Sequence, residues 1–273
     1  MLKGIALKYQ RKGHIKATEM VQKDTASTAI RLTQTAISTA LVSVATIIFY
    51  IYVPATRGFF NVGETMIFLA ALLFGPVTGA FAGGVGASLA DVLLNYWYYA
   101  PATLVIKACE GAIVGILGRR RPKADSRRVW MLFTLIMGLV IQALVALIGA
   151  AYLSGTTELH IGIPPPENAN VIFFVPREMW FVLGGLVGLL VSLTGLLAEP
   201  EVGWLVFTTL TGGAVMVTGY FVYEQFLLFP LFGITGVFAP AEIPINIGQM
   251  LVGVLVAIPI VKILSRSLPQ LKR

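Results

Sequence analysis

Charge is what this 273-residue chain has least of: Asp, Glu, Lys and Arg make up 12% of it, whereas 57% is hydrophobic and the mean hydropathy is +0.84. Soluble chains carry charge on about a quarter of their residues, so a water-soluble fold of this size would leave its surface uncovered. The single cysteine, Cys109, excludes an internal disulfide and sits in an apolar run, where a small packing residue is expected. The only histidines, His14 and His160, stand far apart, which argues against a His/Cys metal site with its several converging ligands. No G-x-x-x-x-G-K-[ST] loop occurs, so the chain does not itself use ATP in the P-loop manner. No G-x-S-x-G elbow, H-E-x-x-H pair or intramembrane Ser/His pair points to an enzyme, and no cofactor is implied. The N-terminus is basic and polar for some thirty residues before any apolar run, unlike a secretory signal.

What the chain has instead is apolar runs, near 33–53, 62–74, 76–95, 101–118, 130–153, 179–198, 203–228 and 243–264. Several reach the roughly 20 residues that a helix needs to cross the hydrocarbon core. The expected fold is all-α and polytopic, with about eight spans. The run 62–74 is too short to cross unaided and is completed by the Phe74-Gly75-Pro76 turn into the next.

The net charge of +7, from 20 Lys and Arg against 13 Asp and Glu, is explained by topology without nucleic acid. With a cytoplasmic N-terminus, 17 of the 20 basic residues fall on inner segments, leaving Arg57 and Arg177 outside and Lys107 within a span. Both termini are then cytoplasmic, in a multi-pass plasma-membrane protein of prokaryotic type. The chain divides into a basic tail (1–32), four helices (33–118), a basic inner loop with a helix pair (119–202), and two last helices with a basic C-terminal tail (203–273). The tail's apolar residues, interleaved with Lys and Arg, fit either an interfacial helix on the anionic inner leaflet or a loosely ordered tail. The outer loop from Ser154 to Glu178 contains Pro164-Pro165-Pro166, which argues against regular structure.

Small residues recur every four positions: Gly75, Gly79, Gly83 and Ala87; Gly111 and Gly115; Gly184 and Gly188; Ala36 and Ala40. Such ridges let helices approach closely in lipid. Ionisable groups at membrane depth are costly and need a partner or a wet cavity. Those present gather toward the outer face: Arg57, Asn61 and Glu64; Asp91 and Asn95; Lys107 and Glu110; Tyr220, Tyr223 and Glu224; then Glu242, Asn246 and Gln249 on one helical stripe. Aromatics lie at the same level: Phe59, Phe60, Tyr96, Trp97, Tyr98 and Tyr99. An interfacial belt accounts for some of these rings, and Lys107 with Glu110 also reads as a purely structural pair. Neither accounts for Glu64, Asp91, Glu224 and Glu242 sharing one level. A water-accessible pocket for a polar, aromatic small molecule explains them together. The helices at 130–153 and 179–198 carry little but small polar residues and are expected outside that pocket.

Three stretches of the first half resemble the substrate-binding S components of energy-coupling factor (ECF) transporters: Gly58-Phe59-Phe60-Asn61-Val62-Gly63-Glu64, Leu73-Phe74-Gly75-Pro76-Val77-Thr78-Gly79 and Ile106-Lys107-Ala108-Cys109-Glu110-Gly111. So do Gly219-Tyr220-Phe221-Val222-Tyr223-Glu224 and Glu242-Ile243-Pro244-Ile245-Asn246-Ile247-Gly248-Gln249. The riboflavin-type and related vitamin branch is the nearest in pattern. The resemblance implies a six-helix core that binds a vitamin or similar micronutrient near the outer face and docks on a transmembrane T component carrying two ATPases. It implies docking through Ala36 and Ala40, and ligand contacts from the loop after the first helix and the last core helices. Residues 130–198 depart from the pattern as an inserted helix pair. The competing reading is an ion-coupled secondary transporter using Lys107 and Glu110, although no internal repeat supports it. Acidic groups outnumber basic ones in the pocket, favouring a ligand with donor or cationic groups, with a flavin also compatible.

Overall fold

The computed structural model describes residues 27–53, 58–120, 127–152, 154–159, 171–197, 200–234 and 239–267. Its helices are α1 (Ser27–Ile48), α2 (Gly63–Phe74), α3 (Pro76–Leu93), α4 (Ala100–Arg119), α5 (Arg127–Tyr152), α6 (Arg177–Leu197), α7 (Pro200–Val222), α8 (Leu228–Phe232) and α9 (Ala239–Ser267). A π-helical turn over Tyr223–Leu227 joins α7 to α8. Two antiparallel hairpins complete it, β1 (Tyr50–Val53) with β2 (Gly58–Asn61) and β3 (Gly155–Leu159) with β4 (Val171–Val175). Among the described residues six helices are long and apolar enough to cross a bilayer: α1, α3, α4, α5, α7 with its π-turn, and α9. The protein is thus an all-α polytopic membrane protein. Helix α2, with 12 residues, rises only about 18 Å at 1.5 Å per residue, short of the roughly 30 Å hydrocarbon core.

The turn that ends α2 requires glycine. Gly75 has φ of +94°, its N–H donates to Ala71 O at 2.9 Å, and a side chain there would strike the Arg119 guanidinium. Arg119, at the end of α4, donates to Phe74 O at 3.1 Å, closing the last turn of α2 with a side chain from another helix. Pro76 then opens α3, where a missing N–H costs nothing.

The small-residue ridges pack inside the molecule. A Cβ on Gly83 would lie 2.7 Å from Lys107 O, and one on Gly111 would run into the α3 backbone at Gly79 and Ala80. Helices α3 and α4 therefore meet backbone to backbone. Across α3 lies α1, tied by Ser43 Oγ donating to Gly86 O at 2.7 Å and by the Thr35–Thr78 hydroxyl pair at 3.0 Å. Ala36 and Ala40 of α1 are exposed.

Helices α5 and α6 pair through Gly138, Gly184 and Gly188. Ile141 and Val145 of α5 join the core formed by Val206 and Leu210 of α7 with Val254 and Ala257 of α9. At the other end Trp130 packs edge-on to Trp204, whose Nε1 donates to Leu117 O at 2.8 Å.

Three features differ from expectation. The first apolar run stops being helix at Ile48, because the β-branched and aromatic Tyr50-Ile51-Tyr52-Val53 pairs as a strand with Gly58–Asn61. The outer loop carries regular structure after all, in β3 and β4, and its triple proline lies outside the described residues. Cys109 is exposed on α4 rather than packed. Both termini, with the basic tail, also lie outside the described residues.

Candidate functional site

At the end of the bundle that carries β1–β2, seven elements converge on a cavity of about 40 Å³. Its wall is polar and aromatic: Thr46 of α1, Phe59 and Asn61 of β2, Glu64 of α2, Asp91 of α3, Tyr99 before α4, Thr103 and Lys107 of α4, Tyr220 of α7, and Glu242, Asn246 and Gln249 of α9. Gly63, Ile67 and Ala87 complete it.

Lys107 is the electrostatic centre. Its ammonium pairs with Glu64 of α2 and with Glu110, one turn along its own helix, at 3.4 Å. It also donates to the Met216 thioether at 2.8 Å and lies 5.5 Å from the centroid of the Tyr220 ring. Each of Glu64, Lys107 and Glu110 is buried. One cation thus ties α2, α4 and α7 together, and its removal would leave two buried carboxylates uncompensated.

The hairpin is held to α9 by a chain of amides. Asn61 donates to Gln249 Oε1 through its side chain at 2.6 Å and its backbone N–H at 3.3 Å, and Gln249 Nε2 donates to Asn246 Oδ1 at 2.8 Å. Asn61 Oδ1 meanwhile accepts the Gly63 N–H at 2.8 Å, opening α2. Gln249→Ala removes the acceptor for both Asn61 donors, at about 1 kcal/mol per bond. We expect amide exchange over 58–61 to quicken about tenfold while the amides of α4 keep their protection, as read by hydrogen–deuterium exchange.

The aromatic side is continuous. Phe59 meets Tyr96 at 5.0 Å, Tyr98 meets Tyr99 at 5.2 Å, and Tyr99 faces both Tyr223 (5.8 Å) and Tyr220 (6.4 Å). Tyr99 Oη donates to Glu224 Oε1 at 3.0 Å. Burial, followed by the neighbouring charges of Glu224 and Glu242, holds the Tyr99 phenol well above its ordinary pKa, so it stays a donor. The π-turn sits where Tyr223 and Glu224 face this cluster, and Tyr223 Oη donates to Tyr98 O. Tyr220 Oη donates to Thr103 Oγ1 at 2.9 Å, and the Thr103 side chain in turn bonds Asp91.

Of the residues singled out from the sequence, the structure brings Asn61, Glu64, Asp91, Lys107, Tyr220, Glu242, Asn246 and Gln249 to one cavity. Glu110 and Glu224 lie behind the lining, against Lys107 and Tyr99. Asn95 serves the backbone: at φ of 69° it ends α3, its N–H donating to Val92 O. Trp97 is half-exposed and packs edge-on to Phe232 and Tyr98, away from the cavity. Arg57 lies outside the described residues. The lining residues that sequence reasoning left unassigned include Thr46 and Thr103, while Phe59 and Tyr99 stood only among the aromatics of that level. Thr103 stands one turn before Lys107, so helical spacing would have found it. Nothing in the sequence marks Thr46, whose hydroxyl donates to Val42 O within α1.

Asp91 Oδ2 and Asn246 Nδ2, both on lining residues, are buried without a hydrogen-bond partner. Buried polar atoms are rarely left so. An acceptor on α3 and a donor on α9 are thus unsatisfied among the residues of the wall.

Residues 27–177, from α1 through α5 to the first residue of α6, match the family described as ECF-type riboflavin transporter, S component. A further likeness is to an "Uncharacterized protein in gap 3'region" of Pyrococcus woesei, 54% identical over 74 residues. That alignment covers 27% of this chain and 49% of the other, so the chain spans about half the length of the curated relative it matches.

Proposed function

The chain belongs to the S-component family of ECF-type riboflavin transporters, a family of membrane-embedded, substrate-binding transporter subunits, and from that premise we propose that it captures a vitamin-class micronutrient in the cavity of the hairpin end. Uptake would be driven by ATP hydrolysis in two partner ATPases carried by a transmembrane T component. The observation that supports this best is the concentration of buried polar groups around one cavity, Asp91 and Asn246 among them with unsatisfied hydrogen-bonding atoms, in a bundle otherwise apolar at its core. On the sequence's charge partition this end faces outward, in a prokaryotic plasma membrane.

The cavity holds about 40 Å³, room for about three waters at ~10–15 Å³ each, whereas small-molecule sites run to roughly 300–1,000 Å³. Substrate entry therefore requires the β1–β2 wall to move off α9, where the Asn61–Gln249 bonds close it. Helices α5 and α6 contribute no residue to the described lining, and α5 packs against α7 and α9 through Ile141 and Val145. The exposed Ala36 and Ala40 are the proposed docking face for the T component, since small residues permit a close helix crossing.

Purification from a cell that expresses the whole transporter, followed by mass spectrometry, tests the reading: a retained vitamin and co-purifying T component and ATPases are expected. A chain that carries neither, or one that alone drives ion-coupled uptake in liposomes, would overturn it. Asn246→Ala or Glu224→Ala should weaken binding of the retained vitamin tenfold or more by calorimetry; unchanged affinity removes the residue from the site. Ala36→Trp or Ala40→Trp should abolish most uptake while leaving vitamin affinity within about twofold. Equal loss of both would argue against docking there.

A further inference from the structure

A second hollow lies on the exposed side of the α3–α4 pair, away from the polar cavity. It is a groove of about 670 Å³ with an apolar lining, running from Pro76 to Val85 on α3 and from Leu104 to Ala112 on α4. Its length along α3 is about 14 Å at 1.5 Å per residue, and its volume falls within the roughly 300–1,000 Å³ of small-molecule sites. The glycine contacts create it. Because Gly83 and Gly111 bring the two backbones together, the half-buried Ala80 and Ala108 form a floor. The exposed Val77, Phe81, Leu104 and Val105 stand on either side.

One end of this groove is charged. Pro76 closes it there, and the Arg119 guanidinium lies against the preceding residue, Gly75. One of its N–H groups is taken by Phe74 O at 3.1 Å, but a guanidinium has five. Arg119 and Arg120 are both exposed, and among the described residues neither is in an ion pair. The opposite end, at Val85 and Leu104, is apolar.

The occupant that satisfies both parts is amphiphilic, with an apolar chain and an anionic head. Helices α3 and α4 are both long and apolar enough to span a bilayer, so the groove faces lipid chains and its charged end lies where lipid phosphates are found. We propose that the groove is a site for one anionic phospholipid, with an acyl chain along α3 and α4 and its phosphate on Arg119 and Arg120. The chain gains little by leaving the bilayer, since lipid tails are as apolar as the walls. Contact with the concave wall retains it, and charge-assisted arginine–phosphate bonds select the head group. Basic pockets between spanning helices recognise anionic lipids in this manner.

The test uses the full chain, purified in detergent and stripped of lipid, then incubated with equimolar phosphatidylglycerol and phosphatidylcholine of identical chains. Native mass spectrometry is expected to show one retained phosphatidylglycerol, preferred at least about fivefold. Arg119→Gln/Arg120→Gln should bring the two lipids within about twofold of each other. Cys109→Trp fills the groove from an exposed lining position and should lower phosphatidylglycerol retention at least about fivefold. Thermal unfolding checks that each variant is folded. Arg119 also closes the last turn of α2; should the double variant not fold, Arg120→Gln alone is expected to bring the preference below about threefold. Equal retention of the two lipids by the wild type overturns the proposal. So does a preference that survives the arginine substitutions, or a retained lipid that survives Cys109→Trp, in a folded protein. A Cys109→Trp chain that keeps its lipid but loses the partner subunits on co-purification would assign the groove to a protein helix instead. The readout needs neither vitamin nor uptake, so its failure is distinct from failure of the transporter-subunit reading.

Discussion

Lys107→Met is expected to destabilise the protein by about 3–5 kcal/mol, the usual consequence of removing one partner from a buried charged group. Glu64 and Glu110, both fully buried, would be left facing each other across the vacated position with no cation between them. In detergent this should appear as a fall in thermal unfolding temperature on the order of 10 °C. It should be accompanied by a loosened contact between α2 and α4, which the pair bridges. The triple variant Glu64→Gln/Lys107→Met/Glu110→Gln removes the whole charge set and should regain most of that stability, because neutral, hydrogen-bonding replacements no longer demand a counter-ion. This separates two roles that the sequence left open for Lys107. If Lys107→Met stays as stable as the wild type but loses ligand affinity, the lysine addresses the ligand rather than its neighbours. If stability falls and the triple variant restores both stability and binding, the lysine is a structural cation that fixes the cavity wall.

Gly111→Ala should cost about 2–3 kcal/mol, toward the upper end of overpacking penalties. An added methyl would collide with the α3 backbone at Gly79 and come within 2.9 Å of Ala80 N. Backbone has no rotamer to give, so the two helices must separate along their contact. Since Lys107 sits one turn before Gly111 on the same helix, that separation also displaces the cation from Glu64. Gly185→Ala, on α6, supplies the control: nothing lies within 4 Å of its added Cβ, and it should be neutral or stabilise by roughly 0.5–1 kcal/mol through helix propensity. Comparable destabilisation at both positions would show that the cost is generic to glycine in these helices and not a product of the α3–α4 contact.

The class of protein, and the residues whose polar groups gather around one cavity, were largely legible before any coordinates. Hydropathy and charge placement are properties of single residues and their neighbours along the chain, and a bilayer sorts both by depth. Runs of apolar sequence therefore marked most of the helices to within a few residues, the first excepted, and the acids at 64, 91, 110, 224 and 242 suggested one level. Periodicity went further where one helix carries the pattern, as with Glu242, Asn246 and Gln249. The weak points were at that same level but off the helices: Trp97 and Asn95 share it, yet one packs on Phe232 and the other turns the chain. Depth says nothing of the direction in which a side chain points around the bundle.

What the tertiary structure alone decided is which groups at that level meet. That Lys107 reaches Glu64, 43 residues earlier, and not only Glu110 three residues on, depends on how closely α2, α3 and α4 approach. Gly79, Gly83 and Gly111 permit that approach only by facing one another, which no spacing within a single helix can establish. The Asn61–Gln249 link spans 188 residues, and it exists because the Tyr50–Val53 segment left the helix to form a hairpin beside α9. Composition determined where polar groups could be tolerated; the packing of glycine against backbone determined which of them became partners and which, like Asp91, kept an oxygen open.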